Sequence, residues 1–173
     1  MSLITIEGSA IHATTDTNGS HAQKWFGDVG YSLYINTSGQ PRIQKTTDGG
    51  TTWALASGGA GSPTITNIHN PVIAAWADNE TPGDSGTLWH ILWVSRRTTP
   101  SGLTAANYVS FDFATDSWST PTTVFSHASS ITTPADCAIT KAVSGRLYAA
   151  STSNTSNFRF FSYSDDGGAN WTL

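Results

Sequence analysis

Thr46-Thr47-Asp48-Gly49-Gly50-Thr51-Thr52-Trp53 returns near the other end of the chain as Ser164-Asp165-Asp166-Gly167-Gly168-Ala169-Asn170-Trp171. The shared pattern is Ser/Thr-x-Asp-x-Gly-x-Ser/Thr/Asn-Trp. Each position in it has a mechanical reason. The aspartate accepts hydrogen bonds from the backbone N–H groups of the turn that follows, and the glycine takes the φ > 0 that the turn needs. The tryptophan, just past the turn, folds back and covers the hairpin with a large apolar face. Such an element ties two consecutive strands tightly, so Asp48, Gly50, Trp53, Asp166, Gly168 and Trp171 read as structural residues. A degenerate third copy, Phe111-Asp112-Phe113-Ala114-Thr115-Asp116-Ser117-Trp118, lies between them. The three tryptophans stand at 53, 118 and 171. Those intervals are the period of a four-stranded propeller blade.

Between the hairpins the chain reads as strand after strand. Tyr31–Ile35, Arg42–Thr46, Pro71–Trp76, Asn107–Phe113, Gly145–Ala150 and Asn157–Tyr163 are rich in β-branched and aromatic residues and are bounded by turn formers. The run Thr87–Val94 is apolar on both faces, as a central strand covered on both sides is. Helical periodicity is nearly absent.

Composition agrees. The 173 residues include 22 Ser, 26 Thr and 16 Gly, and only 12% are charged, about half the usual share. Seven Trp, seven Phe and five Tyr supply the area that a folded core needs and a disordered chain lacks. A net charge of −4 with eight Lys and Arg argues against nucleic-acid binding. No apolar run reaches the length of a spanning helix, and no signal peptide is visible. The single cysteine, Cys137, leaves stability to packing.

The two hairpins resemble the Asp-box, or BNR repeat, of sialidase-like β-propellers. The second departs only by Asn170, where Ser or Thr is usual. In that family the box turns the third strand of a blade into the fourth, which implies strands near 51–57 in blade one and 117–125 in blade two. The resemblance therefore implies an all-β propeller segment with about three blades in one unit, residues 1–173. Residues 1–26 form an N-terminal strand region, 27–57 blade one, 71–125 blade two and 136–173 blade three, whose last strand is incomplete. Three blades are too few to close a ring. Self-association or a further propeller segment is the expected partner, with the strand candidate Ser2–Glu7 free to complete the sheet that ends at Trp171.

The resemblance also implies which end binds ligands. In such propellers the loops from strand four to the next strand one, and from strand two to three, line the ligand face, opposite the boxes. Here they carry Asn67, His69, Asn70, Arg96, Arg97, His127 and, at a strand start, Asp136. The pair Arg96-Arg97 suits carboxylate or sulfate groups on a glycan, because a guanidinium is planar and carries five donors. A sialidase would further need three arginines, a tyrosine activated by a glutamate, and an acid/base aspartate. The chain has only Glu7 and Glu80, and no paired carboxyls are evident on that face. No catalytic residue, metal site or cofactor is assigned. Asp78, Glu80 and Asp84 read as a solvated loop, and His90 as a hydrogen-bonded core residue. The reading is a non-enzymatic module for glycan binding or assembly, exposed outside a cell or on a virion surface. The alternative is an N-terminal fragment of a sialidase-like glycoside hydrolase whose catalytic residues are expected beyond Leu173.

Overall fold

A computed structural model describes residues 10–12, 23–36, 40–56, 63, 69–96, 104–127, 134–153 and 159–173. The described chain is all-β and antiparallel, arranged as three sheets in sequence order. A short 3-10 turn, Asp78–Glu80, follows the first strand of sheet two. Sheet one contains β1 (Ala10–His12), β2 (Gln23–Phe26), β3 (Val29–Asn36), β4 (Pro41–Thr46) and β5 (Ala54–Leu55). Sheet two contains β6 (His69–Ala77), β7 (Leu88–Arg96), β8 (Thr104–Asp112), β9 (Ser117–Trp118) and β10 (Thr122–His127). Sheet three contains β11 (Pro134–Lys141), β12 (Leu147–Ser153) and β13 (Arg159–Ser164), with Thr172 bridging back to Tyr163.

Alternation along the strands decides how the sheets stack. Tyr31, Leu33, Ile35 and Ile43 of sheet one meet Ile73, Trp89, Ile91, Trp93, Val109 and Phe111 of sheet two in one core. The opposite face of sheet two, with Val72, Leu92, Val94, Tyr108 and Val124, meets Cys137, Ile139, Leu147, Ala149 and Phe160 of sheet three. Strand β7 is covered on both sides, and Trp89, Ile91, Leu92 and Trp93 are fully buried. That is why its sequence is apolar without alternation.

The structure departs from the sequence expectations in three places. Residues 10–12 and 23–26 both pair with β3, extending sheet one at its edge with two short strands. The expected strand 117–125 is two strands, β9 and β10, both paired with β8. The break falls at Pro121, which has no N–H to give to a ladder. In sheet one, the strand expected over 51–57 contributes only Ala54 and Leu55 to the ladder. Ser2–Glu7 lies outside the described residues.

One face of sheet three carries no neighbouring sheet among the described residues. Phe161, 57% exposed, stacks there on Tyr148 with centroids 5.6 Å apart, and Arg146 lies over the Tyr163 ring at 4.4 Å. The corresponding outer face of sheet one is partly filled from within. Trp25, opposite Gly30 on β2, lies so close that a Cβ on Gly30 would stand 2.6 Å from the indole. It also approaches Gly50 and meets Trp53 edge-on at 5.8 Å. Tyr108 of sheet two holds the matching place over Gly168 of sheet three and meets Trp171 edge-on at 5.4 Å.

Candidate functional site

The two repeated hairpins share the same hydrogen bonds around their aspartate and tryptophan. Thr46 Oγ1 donates to Asp48 Oδ1 at 2.7 Å and accepts from the Gly50 N–H at 3.0 Å. Ser164 Oγ does the same with Asp166 Oδ1 at 2.8 Å and the Gly168 N–H at 2.8 Å. Thr52 donates its N–H and hydroxyl to the two oxygens of Asp48, at 2.9 and 2.6 Å. Asn170 donates its N–H and side-chain amide to Asp166, again at 2.9 and 2.6 Å. Trp53 and Trp171 each donate Nε1–H to a glycine carbonyl three residues back, at 3.1 Å. Both indoles are half-buried, and Gly49, Gly50, Gly167 and Gly168 all have φ between +67° and +94°. The carboxylates are spent inside their own turns. The degenerate copy uses a different residue, since Asp112 accepts from the Ala114 N–H at 2.9 Å and the Thr115 hydroxyl at 2.9 Å.

The residues expected to bind ligand gather at the other end of the stack as far as the backbone places them. His69 and Arg96 are register partners at the open end of the β6–β7 pair, and Asn70 follows His69. His127 ends β10 opposite Thr104, and Asp136 stands near the start of β11, paired with Thr152. Asn67 and Arg97 lie outside the described residues. Among these residues only Asp136 has a described side chain. Its Oδ1 accepts from the Cys137 N–H at 2.8 Å, and it lines a recess of about 140 Å³ with Cys137, Ala138, Ala150, Ser151 and Thr152. Cys137 is buried, which pushes its thiol up and makes it a packing residue.

The hairpin end carries a polar cluster that sequence reasoning missed. Asp78, expected in a solvated loop, is only 3% exposed and joins sheets two and three. His90 Nε2 lies 2.8 Å from Asp78 Oδ1, and His90 Nδ1 lies 2.7 Å from the Tyr108 hydroxyl, which donates on to the Gly167 carbonyl at 3.1 Å. Lys141 of sheet three pairs with both Asp78 and Asp84, the latter at 2.8 Å, and the Leu88 N–H donates to Asp78 Oδ2 at 3.0 Å. Burial alone would push the Asp78 carboxyl up. The His90 and Lys141 contacts outweigh it and hold the group well below the usual carboxylate range. Burial pushes the Tyr108 phenol up. Gly86 is required beside this cluster, because a Cβ there would stand 2.1 Å from Asp78 Oδ2. Glu80 accepts from the Ala77 N–H at 2.6 Å and pairs with Lys24, tying sheet one to sheet two. The acidic loop is therefore matched by lysines. Among the described residues no group of three or more His, Cys, Asp or Glu stands ready to hold a metal.

No family model matches the chain, and no curated protein does. Solved structures do. One is described as a polysaccharide lyase of a new family, PL25, an ulvan lyase, at 12% identity and TM-score 0.50. A second is the same description bound to -[GlcA(1-4)Rha3S]-, again at 12% identity and TM-score 0.50. Each match covers 87% of this chain and 36% of the other, so the chain spans about a third of the length of the structures it resembles. At that identity the likeness speaks for the all-β fold alone. Among the described residues no helix is long and apolar enough to cross a membrane.

Proposed function

We propose that the chain is a segment of an Asp-box β-propeller that binds acidic glycans without turning them over, exposed outside a cell or on a virus particle. The observation that carries the binding reading is the gathering of His69, Asn70, Arg96, His127 and Asp136 at the strand ends opposite the two hairpins. Arg97 follows Arg96 directly in sequence, which pairs two guanidinium-bearing residues. Such a pair matches carboxylate and sulfate in charge and in fork geometry. The propeller reading draws on the sequence-order stacking of the sheets and on the matched hairpins. The sulfated, uronate-containing saccharide in the second solved structure supplies a natural probe of the right charge.

The test is calorimetric titration of the intact chain with oligosaccharides of the sequence -[GlcA(1-4)Rha3S]- and with other sulfated and uronate glycans. Binding is expected, and an Arg96→Ala/Arg97→Ala double variant should weaken it by about tenfold or more, as loss of charge-assisted hydrogen bonds does. Absence of binding to every acidic glycan overturns the reading.

A second reading treats these sheets as one part of a larger carbohydrate-active enzyme, a sialidase-like hydrolase or a lyase. The chain's span of about a third of the solved lyases favours it. Release of new reducing ends or unsaturated products from an acidic glycan by the intact protein would support this reading over the first.

A further inference from the structure

At the hairpin end, away from the cationic strand ends, sheets one and two leave a groove of about 340 Å³. Phe26, Tyr31, Lys45, Thr87 and Phe113 are among its walls. Phe26 is 42% exposed although it meets Phe113 edge-on at 5.1 Å, and Tyr31 meets Phe113 at 4.8 Å. The apolar wall is thus built of three aromatic rings that brace one another and leave Phe26 partly open to solvent. At its edge the Lys45 ammonium is 2.5 Å from Asp116 Oδ2, and the Tyr31 hydroxyl donates to Asp116 Oδ1 at 3.0 Å. Asp116 is held with φ +51°, the one non-glycine residue in the left-handed region among those described. Backbone held in that region stores strain and fixes where the side chain stands.

We propose that this groove is a binding site for a single neutral pyranose ring. The volume falls at the small end of ligand pockets, which suits one ring better than a polymer. A pyranose has an apolar face of C–H groups and an edge of adjacent hydroxyls, each both donor and acceptor. The partly exposed ring of Phe26 takes the first. The lysine and aspartate, side by side, offer donors and acceptors to the second, because the ammonium has three N–H groups and the carboxylate about four lone-pair sites. The Lys45 charge is matched by Asp116, so an anion would meet the carboxylate and a cation the ammonium. A purely apolar ligand would cover the charged pair and leave it without water or partner, at a cost. The site lies at the opposite end from Arg96 and does not rest on the acidic-glycan reading.

Saturation-transfer NMR on the intact chain, with methyl β-D-glucopyranoside and methyl β-D-galactopyranoside as probes, tests the proposal. Saturable binding of at least one is expected. Phe26→Ala and Lys45→Met should each weaken it about tenfold or more, roughly the loss of one aromatic or charge-assisted contact. Arg96→Ala/Arg97→Ala should leave it unchanged. Phe26 is 42% exposed, so its alanine variant should keep the parent circular dichroism spectrum with only a modest fall in melting temperature, and a variant that stays folded localises the loss of binding to the groove. No saturable binding of either sugar overturns the proposal. So does binding that survives Phe26→Ala, or that vanishes only in the arginine variant. Tighter binding of glucuronate or of an apolar probe such as indole in the same groove also overturns it.

Discussion

Thr52 in one hairpin and Asn170 in the other donate the same two hydrogen bonds to their aspartates, although their side chains share no chemistry beyond a donor at the right reach. Side-chain and backbone bonds from Thr52, with Thr46, hold Asp48 at about 2, and those from Asn170, with Ser164, hold Asp166 at about 2. Both folded values lie below the ordinary carboxylate value of 3.8. The stability these groups contribute is therefore fully present above that value and is lost as pH falls through about 2. Asp48→Asn and Asp166→Asn should flatten that acid-side loss, read as melting temperature against pH between neutral and strongly acid buffer. A second prediction separates backbone from contact. Gly167 and Gly168 both have positive φ, but only Gly168 has a ring over it, with Tyr108 2.1 Å from where its Cβ would stand. Gly167→Ala should cost about 1 to 3 kcal/mol of backbone strain. Gly168→Ala should cost clearly more in denaturant unfolding, because it must also displace Tyr108.

The β6–β7 hairpin and β11 are joined by the buried cluster around Asp78. Removing one partner from a buried ion pair leaves the others uncompensated and typically costs about 3 to 5 kcal/mol. Asp78→Ala should therefore be among the most damaging polar substitutions, with Lys141 left to Asp84 alone and His90 Nε2 left without its partner. Tyr108→Phe keeps the ring over Gly168 and removes only the hydroxyl between His90 and Gly167, so a loss of about 1 to 3 kcal/mol is expected. Equality of the two variants in chemical denaturation would show that the ion pair contributes nothing beyond packing. At this scale the sequence was partly legible. The alternation of β3, β4, β8 and β12 and the unbroken apolar run of β7 are local signals, and their ends fall within a few residues of the strands observed. Gln23–Phe26 has no alternation to read, and its place beside β3 is set by the turn at Gly27, with φ +63°. Asp78 and His90 each look unremarkable alone. Their pairing exists only because the β6–β7 register sets Trp76 opposite His90 and brings the following loop back over the strand. Likewise Phe26 and Phe113 line one groove only because sheets one and two pack together, and no nearby residue announces it.

Across the whole molecule, three sheets stack in chain order and the last one presents a face with Phe161, Tyr148 and Tyr163. Exposed aromatic faces of this kind on soluble proteins mark contact surfaces. The expected occupant is another sheet of the same architecture, from a second copy or a further segment, since sheets one and two and sheets two and three already meet that way. Light scattering should show association of the isolated chain, and Phe161→Glu should reduce it. A monodisperse monomer for both proteins would mean that this face stays bare.

The indole of Trp25 gives the stack a direction. Its two flanks are unlike: on one, an aromatic ring from the same chain already sits over a hairpin glycine, and on the other nothing among the described residues does. A neighbour arriving at the Trp25 side and seating its own ring over Gly50, as Tyr108 seats over Gly168, has to evict that indole first. Trp25 is then a built-in competitor for the incoming side chain, setting a threshold that the opposite flank lacks. Head-to-tail growth would start slowly and report its own progress, because each eviction moves an indole from its edge-on contact with Trp53 into water.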